Sequence, residues 1–441
     1  TPVIDNGIYT YLIGIESPGA YGIGLIFDDF YLSENNANCG HGFEYGMCHG
    51  GNAHLASAYL ARGDGPISES DDPYLGTAGI YHSGLTPLAY ITDVRYLPTN
   101  DDVIKQAIYE HGALYTNLHV ADSQSGETFD EYMNTTDFTY YYNGDQSQNH
   151  AVTLVGWDDS KVVRDTLGNG AWICKNSWGE SWGENGFFYI SYYDTKINEE
   201  VAYWPNRIDY TENIELHQYD KLGWTNQIGD GDSTAYALVK FSIDDDQTLN
   251  RIGTWIVSSD AIIDIEIYDN FDGQALSESD SLYGLNNQSC PLPGYYTFEL
   301  ETPPNLYSGE SIYVKIKYTT PGYNHPIPLE SAVEGYANPE IEQGIFWISQ
   351  SGNSWLQLGN NITNWHDDPC IKLYGEVDTS VDCAGVPNGT ATRDDCGVCT
   401  GGDTGLEYNY LAWQCIIAIT FLFSTQIIWK KGLLLYESAS S

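Results

Sequence analysis

Two segments constrain this chain more than any other: NHAVTLVGWDD at 149–159 and GAWICKNSWGESWGENGFFYI at 170–190. The first has the Val, Thr and Trp content of a strand over 151–157, with His150 at its mouth. A polar, glycine-containing loop is expected next, then a second strand that delivers Lys175, Asn176, Ser177 and Trp178. The glycines from Gly179 to Gly186 predict turns leading into an aromatic strand. Such a hairpin sets an imidazole beside a carboxamide. The amide oxygen accepts from one ring nitrogen and fixes the tautomer, which leaves the other nitrogen as a general base. An indole over that hydrogen bond, which Trp178 is placed to supply, would exclude water from it.

In this order and at this spacing, HAVTLVGW and KNSWGESWGENG closely resemble the His and Asn segments of papain-like cysteine peptidases. The resemblance implies an α+β, two-lobed peptidase domain with His150 as general base, Asn176 as its orienting partner and Trp178 as shield. It extends to residues 32–74, LSENNANCGHGFEYGMCHGG through DDPY, which are similar to the family's LSEQ, Asp-Cys, Gly-Cys-x-Gly-Gly and Pro-Tyr progression. By that resemblance Gly50 and Gly51 bind substrate main chain as an added strand. The residues alone equally allow a tight turn before an Ala/Leu-rich helix ending near Ala61. Cys39 and Cys48 would be structural, the usual partner of Cys48 being a cysteine absent near Tyr9.

The first 31 residues depart from the pattern. TPVIDNG at 1–7 looks like the family's lead-in to Cys-Gly-Ser-Cys-Trp, with Asn6 in the place of the oxyanion-hole glutamine. The nucleophile is then expected near Leu12, where there is no cysteine. The family seats its thiolate at the start of a long helix, whose partial positive charge helps hold it. Here Pro18 and Gly14, Gly19, Gly22 and Gly24, among β-branched and aromatic residues, predict no such helix. Either the nucleophile and its helix are lost, or these letters come from a misread or frame-shifted stretch. The abrupt return of the motif at residue 32 favours the second. TPVIDNG does not look like a natural start, so the chain is expected to begin inside a domain.

Further along, DDVIKQAIYEHG at 101–112 predicts an amphipathic helix capped by Asp101, burying Val103, Ile104, Ala107 and Ile108 and stopped by Gly112. His111 reads as a charge favourable to the helix end. A strand is expected over 112–120, and the peptidase-like region over 1–205. From 206 to 376, short runs such as TAYALVKFSI, IIDIEIYD, GYYTFEL and SIYVKIKY alternate between Gly, Pro, Asn and Asp turns, which predicts an antiparallel β-sandwich. This region resembles, at the level of fold, the lectin-like sandwich that follows some bacterial and archaeal papain-like peptidases; glycan binding would follow by analogy. Asp269 and Asp272 read as an acidic turn rather than calcium ligands, and Cys290 and Cys370 as a candidate disulfide.

Residues 377–405 look like a Cys/Asp/Gly stalk repeat of secreted and surface proteins. Cys396 and Cys399 form a CxxC, but the lack of nearby histidine favours disulfide staples over zinc. The tail 406–441 holds an apolar run, 411–431, ending in two lysines; Gln414, Thr420, Ser424, Thr425 and Gln426 make it a poor span. A garbled tail is the expectation, a membrane anchor the alternative.

Lys plus Arg number 17 against 61 Asp plus Glu, a formal charge of −44 that repels nucleic acid and anionic membrane. It suits a protein kept soluble outside the cell or at its surface. The expected function is therefore a papain-type endopeptidase hydrolysing peptide bonds, inactive in this chain for want of the cysteine. The alternative is a catalytically dead relative binding peptides or glycans. Protein or peptide substrates are the expected partners, with glycans open through the sandwich. No catalytic metal or cofactor is expected; structural calcium remains open at the acidic turns, including Asp394, Asp395 and Asp403.

Overall fold

Around the hairpin the chain builds an eight-stranded sheet in the order Arg95–Leu97, Val201–Tyr203, Leu114–Leu118, His150–Arg164, Gly168–Lys175, Phe187–Ser191, Thr139–Tyr140, Met133–Asn134. All its neighbours run antiparallel except Phe187–Ser191 and Thr139–Tyr140, which are parallel. The computed structural model describes residues 10–12, 25–27, 30–31, 41–43, 51–68, 70–72, 84–122, 126–164, 168–358, 367–377, 391–393 and 399–400. Asn6, Gly50, Cys39, Cys48, Cys383, Cys396, Cys415 and the 411–431 run lie outside the described residues. None of the described helices is long and apolar enough to cross a membrane.

The two hairpin strands are longer than their sequence suggests. The residues expected as a polar loop continue the ladder to Arg164 and resume it at Gly168. Beyond the core both faces of this ribbon are wet, so polar residues cost nothing there. They find partners on neighbouring strands and loops: the Lys161 ammonium sits 3.8 Å from the centre of the Tyr189 ring, and Arg164 donates to the Glu131 carbonyl.

Helix Asp101–His111 covers one face of the sheet through Ile104, Ala107 and Ile108, against Leu114, Leu118, Val152, Leu154 and Trp172. Two sequence expectations need correction here. The cap is Asn100, whose side chain accepts from Val103 N–H at 3.1 Å, while Asp101 opens the first turn. Val103 remains 37% exposed because it lies off the buried stripe. His111 lies in the last turn, 3.9 Å from the Glu110 carboxylate, and stacks on Tyr203 with ring centres 4.4 Å apart; burial lowers its pKa and Glu110 opposes this.

From Ile214 onward two antiparallel sheets face each other. A six-stranded sheet runs in the order Ser281–Cys290, Ala261–Tyr268, Ser311–Thr319, Thr234–Ser242, Phe346–Ser349, Leu356–Gln357. Opposite it lie Ile214–Gln218, Ile371–Val377, Gln247–Ile256 and Gly294–Glu299, with Asn305–Leu306 at the side. Strict alternation puts Ala237, Val239 and Phe241, Ile263, Ile265 and Ile267, and Ile312, Val314 and Ile316 into one core. Cys290 and Cys370 do not form the expected disulfide. Both thiols are free and buried, Cys290 in this sandwich core and Cys370 in a separate cluster with Trp255 and Tyr295. At the acidic turn, the Asp272 carboxylate accepts the N–H groups of Gln274 and Ala275.

That separate cluster joins the sandwich to the peptidase-like half. Trp255, Tyr295 and Cys370 pack with Ala58, Tyr59, Tyr96 and Trp204. Gly223 is needed for the approach: at φ +65° its backbone passes so close that a Cβ would meet Trp255 at 2.8 Å and Ala58 at 3.1 Å. Arg95 seals the edge, donating to the Asp93 carboxylate and the Tyr295 carbonyl, with its guanidinium 3.2 Å from the centre of the Tyr296 ring. Sandwich and peptidase-like half fall in one unit, residues 1–244 with 248–376; a second comprises 245–247 and 377–441, where the described strands are Thr392–Arg393 and Cys399–Thr400, paired antiparallel. Because Trp255 is fully buried in the shared cluster, Trp255→Ala is expected to cost about 3–5 kcal/mol. Urea unfolding followed on both halves should show them moving together; a shift confined to the sandwich would sever this coupling.

Candidate active site

His150 opens its strand opposite Leu118 of the neighbouring strand. The residue before it fixes the approach. Asn149 accepts the Val120 N–H at 2.7 Å and donates to the Val120 carbonyl at 2.8 Å, so one side chain closes a two-bond clamp across the strands. On the other side, Lys175 pairs with Thr153, and Asn176 leaves the ladder immediately afterwards. Its N–H donates to the Gly186 carbonyl at 2.8 Å. The turn behind it is closed by Glu184 N–H to the Phe187 carbonyl and Gly186 N–H to the Trp182 carbonyl. Gly183 is required in that turn: φ is +62°, and a Cβ would lie 2.3 Å from the Phe187 carbonyl oxygen.

These two anchorages bring His150 and Asn176 together. Nε2 of His150 lies 2.8 Å from Oδ1 of Asn176. The same oxygen accepts the Ser177 N–H at 2.8 Å, which fixes the amide orientation and makes Nε2 the donor. Neutral His150 therefore carries its proton on Nε2 and offers the Nδ1 lone pair. Asn176 is 4% exposed. Burial lowers the His150 pKa and the hydrogen bond it donates to Asn176 opposes this.

Trp178 lies beside the pair, its ring centre 5.3 Å from that of His150. Sequence reasoning missed what holds it. Trp182 meets Trp178 edge-on at 4.9 Å, Phe129 approaches at 5.6 Å, and Phe188 backs Trp182 at 5.2 Å. The loop that delivers Phe129 is closed by a second histidine. His119, 2% exposed, bonds the Ser147 carbonyl through Nδ1 at 2.7 Å and the Glu127 carboxylate through Nε2 at 2.8 Å. A histidine and a glutamate eight residues apart carry no sequence signal that would have announced this pair.

Other site expectations meet the structure unevenly. Gly51 is exposed at the mouth of helix Ala53–Ala61, whose cap Asn52 accepts the Leu55 N–H at 2.8 Å. Thr10–Leu12 is an extended strand whose Cα atoms come within 8 Å of the His150 strand, so Leu12 does not begin a helix. Cys174 faces the core, paired across the ladder with Leu154 and Phe188, and burial pushes its thiol well above the ordinary range. It is a packing group, not a nucleophile.

Comparison with known proteins agrees with this geometry. The family model described as papain family cysteine protease matches residues 27–204, and that described as lectin like domain matches 216–375. Mouse cathepsin J is 34% identical over 148 residues, 33% of this chain and 41% of that protein. Fruit bromelain of Ananas comosus is 30% identical over 148 residues, 32% of this chain and 36% of that protein. The chain thus spans about two fifths of the length of these relatives. The cysteine protease and lectin-like domains of Cwp84 from Clostridium difficile share the fold with a TM-score of 0.65 at 20% identity, covering 79% of this chain and 78% of that one.

The opposing influences on His150 give an expectation with two signs. Asn176→Ala removes the bond that favours the imidazolium, so the pKa should fall further. Trp178→Ala rehydrates the ring, so it should rise. NMR titration of the histidine ring protons separates them; shifts of the same sign would contradict the assignment.

Proposed function

We propose that this chain, in which residues 27–204 form a papain-family cysteine protease domain and residues 216–375 a lectin-like domain, has the architecture of a peptide-bond hydrolase but lacks the nucleophilic sulfur. The observation that carries the reading is the 2.8 Å bond between His150 Nε2 and Asn176 Oδ1, which in the neutral ring leaves Nδ1 as the base. In such a site a thiolate attacks the scissile carbonyl and the imidazolium passes its proton to the leaving amine. Asn176 holds the ring through both steps, and Trp178 keeps water from the bond that does so. The Asn6 amide is assigned to the oxyanion and Gly50 and Gly51 to the substrate main chain, both by likeness to the family pattern. Position 12 is a leucine at the end of an extended strand, where the pattern calls for a cysteine at a helix start.

The same strand supports a second reading, a cleft that binds peptides without cutting them. The lectin-like fold adds glycans as a further ligand class, by analogy of fold alone. The excess of 61 acidic over 17 basic residues supports placement outside the cell or on its surface. Incubation with a thiol-directed epoxide inhibitor is expected to leave the chain unmodified. An adduct that forms on the chain and disappears in His150→Ala would mean that a thiol does reach the imidazole, and the inactive reading would fall.

A further inference from the structure

Away from the cleft, strands Ile327–Ser331 and Asp367–Pro369 pair antiparallel with Glu330 directly opposite Asp368. Directly opposed residues project from the same face of a sheet, with Cβ atoms about 5 Å apart. Both side chains are 0% exposed. Two buried carboxylates so placed cannot both ionise without a cation.

The nearest ammonium is already committed. Lys372 lies 2.7 Å from the Asp220 carboxylate, donates to Gln218 Oε1 at 2.7 Å and donates to the Asp220 carbonyl at 2.8 Å. Two of its N–H groups are spent on Gln218 and the Asp220 carbonyl, and its charge faces the Asp220 carboxylate. The other charged or titratable groups facing Glu330 are Asp220 and Arg62; those facing Asp368 are Asp220, Glu342 and Tyr219, with Cys370 buried beside both. Arg62 is itself bonded to Asp64, and Lys221 next to it faces Asp64 and Asp220.

Each carboxyl also holds a backbone segment. Glu330 accepts the Leu222 N–H, and Asp368 accepts the Glu342 N–H at 3.0 Å. These are the segments by which the sandwich grips the peptidase half. In the first, Gln218 donates to the Arg62 carbonyl at 2.6 Å, Arg62 donates to the Lys221 carbonyl at 3.2 Å, and Gly223 lies against Ala58. In the second, Asn338 N–H donates to the Gly42 carbonyl at 2.8 Å, Ala337 bridges to Phe43, and Tyr336 meets the Phe43 ring edge-on.

We infer that Glu330 and Asp368 form a proton-held latch, which fastens both gripping segments while the pair keeps a proton and loosens them when it ionises. Burial, the first cause for both, pushes each carboxyl up to about 8; the Leu222 N–H opposes this for Glu330, and the neighbouring Glu330 adds to it for Asp368. The pair titrates as a unit. With the folded pKa above the unfolded one, the native state holds the extra proton, so stability is fully present below about pH 4 and is lost as pH rises through about 8. The unfolding equilibrium constant should rise roughly tenfold per pH unit for each carboxyl protonated only in the native state.

The test is hydrogen exchange on the full chain with a chelator present, corrected for intrinsic rates, from about pH 6 to pH 9. Protection of 218–224 and 336–343 should fall with pH and be lost before that of the sandwich core strands. Glu330→Gln and Asp368→Asn, measured separately, should each flatten the dependence. An unchanged pH profile in both variants overturns the latch. So does restoration of protection at alkaline pH by calcium but not by sodium, since the pair would then be a cation site. Should neither variant fold, infrared spectroscopy of the parent chain decides. A protonated carboxyl band at neutral pH that disappears on alkalinisation supports the latch, and its absence overturns it.

Discussion

The His150–Asn176 pair depends on one register, that between strands His150–Arg164 and Gly168–Lys175. Pairing Lys175 with Thr153 ends the ladder just before Asn176, whose side chain reaches the His150 ring. A slip of one residue would turn His150 to the opposite face, away from Asn176 and from Val152 and Leu154, whose side of the sheet it shares. The register is held by Val152, Leu154, Trp172 and Cys174, all buried, which lose their core contacts if either strand moves. A break in the pairing between Ile173 and Cys174 lies just before the site. Such irregularities re-aim side chains, and here the chain after it carries Asn176 toward the imidazole.

What could be read from the letters, and what could not, divides along the reach of the forces. The sandwich strands were legible because alternate burial repeats at the period of the strand itself, as in Ile312, Val314 and Ile316. The His150–Asn176 pair was legible because its two motifs lie close in sequence and keep their order. The hairpin's extension was not, since polar residues at 158–164 look the same in a loop and in a ribbon with two wet faces. Cys290 and Cys370 looked like a disulfide because chemistry permits one; only packing decides that they sit in different clusters. The His119–Glu127 pair and the bracing of Trp178 by Phe129 are likewise tertiary facts with no local pattern.

The charge imbalance acts inside the molecule as well as on its surface. With 17 basic residues against 61 acidic ones, cations for buried carboxylates are scarce. Three at the domain junction are engaged in ion pairs, Arg62 with Asp64, Arg95 with Asp93 and Lys372 with Asp220, while Lys221 faces Asp64 and Asp220. A buried carboxylate without a counter-ion costs several kcal/mol and takes up a proton instead. Glu330 and Asp368 are the pair left over. Their register opposite one another makes the shortage local.

Helix Ala53–Ala61 ties the cleft to that junction. Its first residues stand behind Gly51, while Ala58 packs against Gly223 and Trp255 of the sandwich side. Its His54 ring stacks on Tyr96 at 4.3 Å and meets Trp224 edge-on at 5.6 Å, and burial takes its pKa down to about 4. An uncharged ring can lie in that apolar contact, whereas an imidazolium would have to be hydrated. Every residue of the helix except His54 is buried, so no face of it is spare to absorb a displacement on one side alone. The sandwich therefore packs directly on the helix that begins just after Gly51.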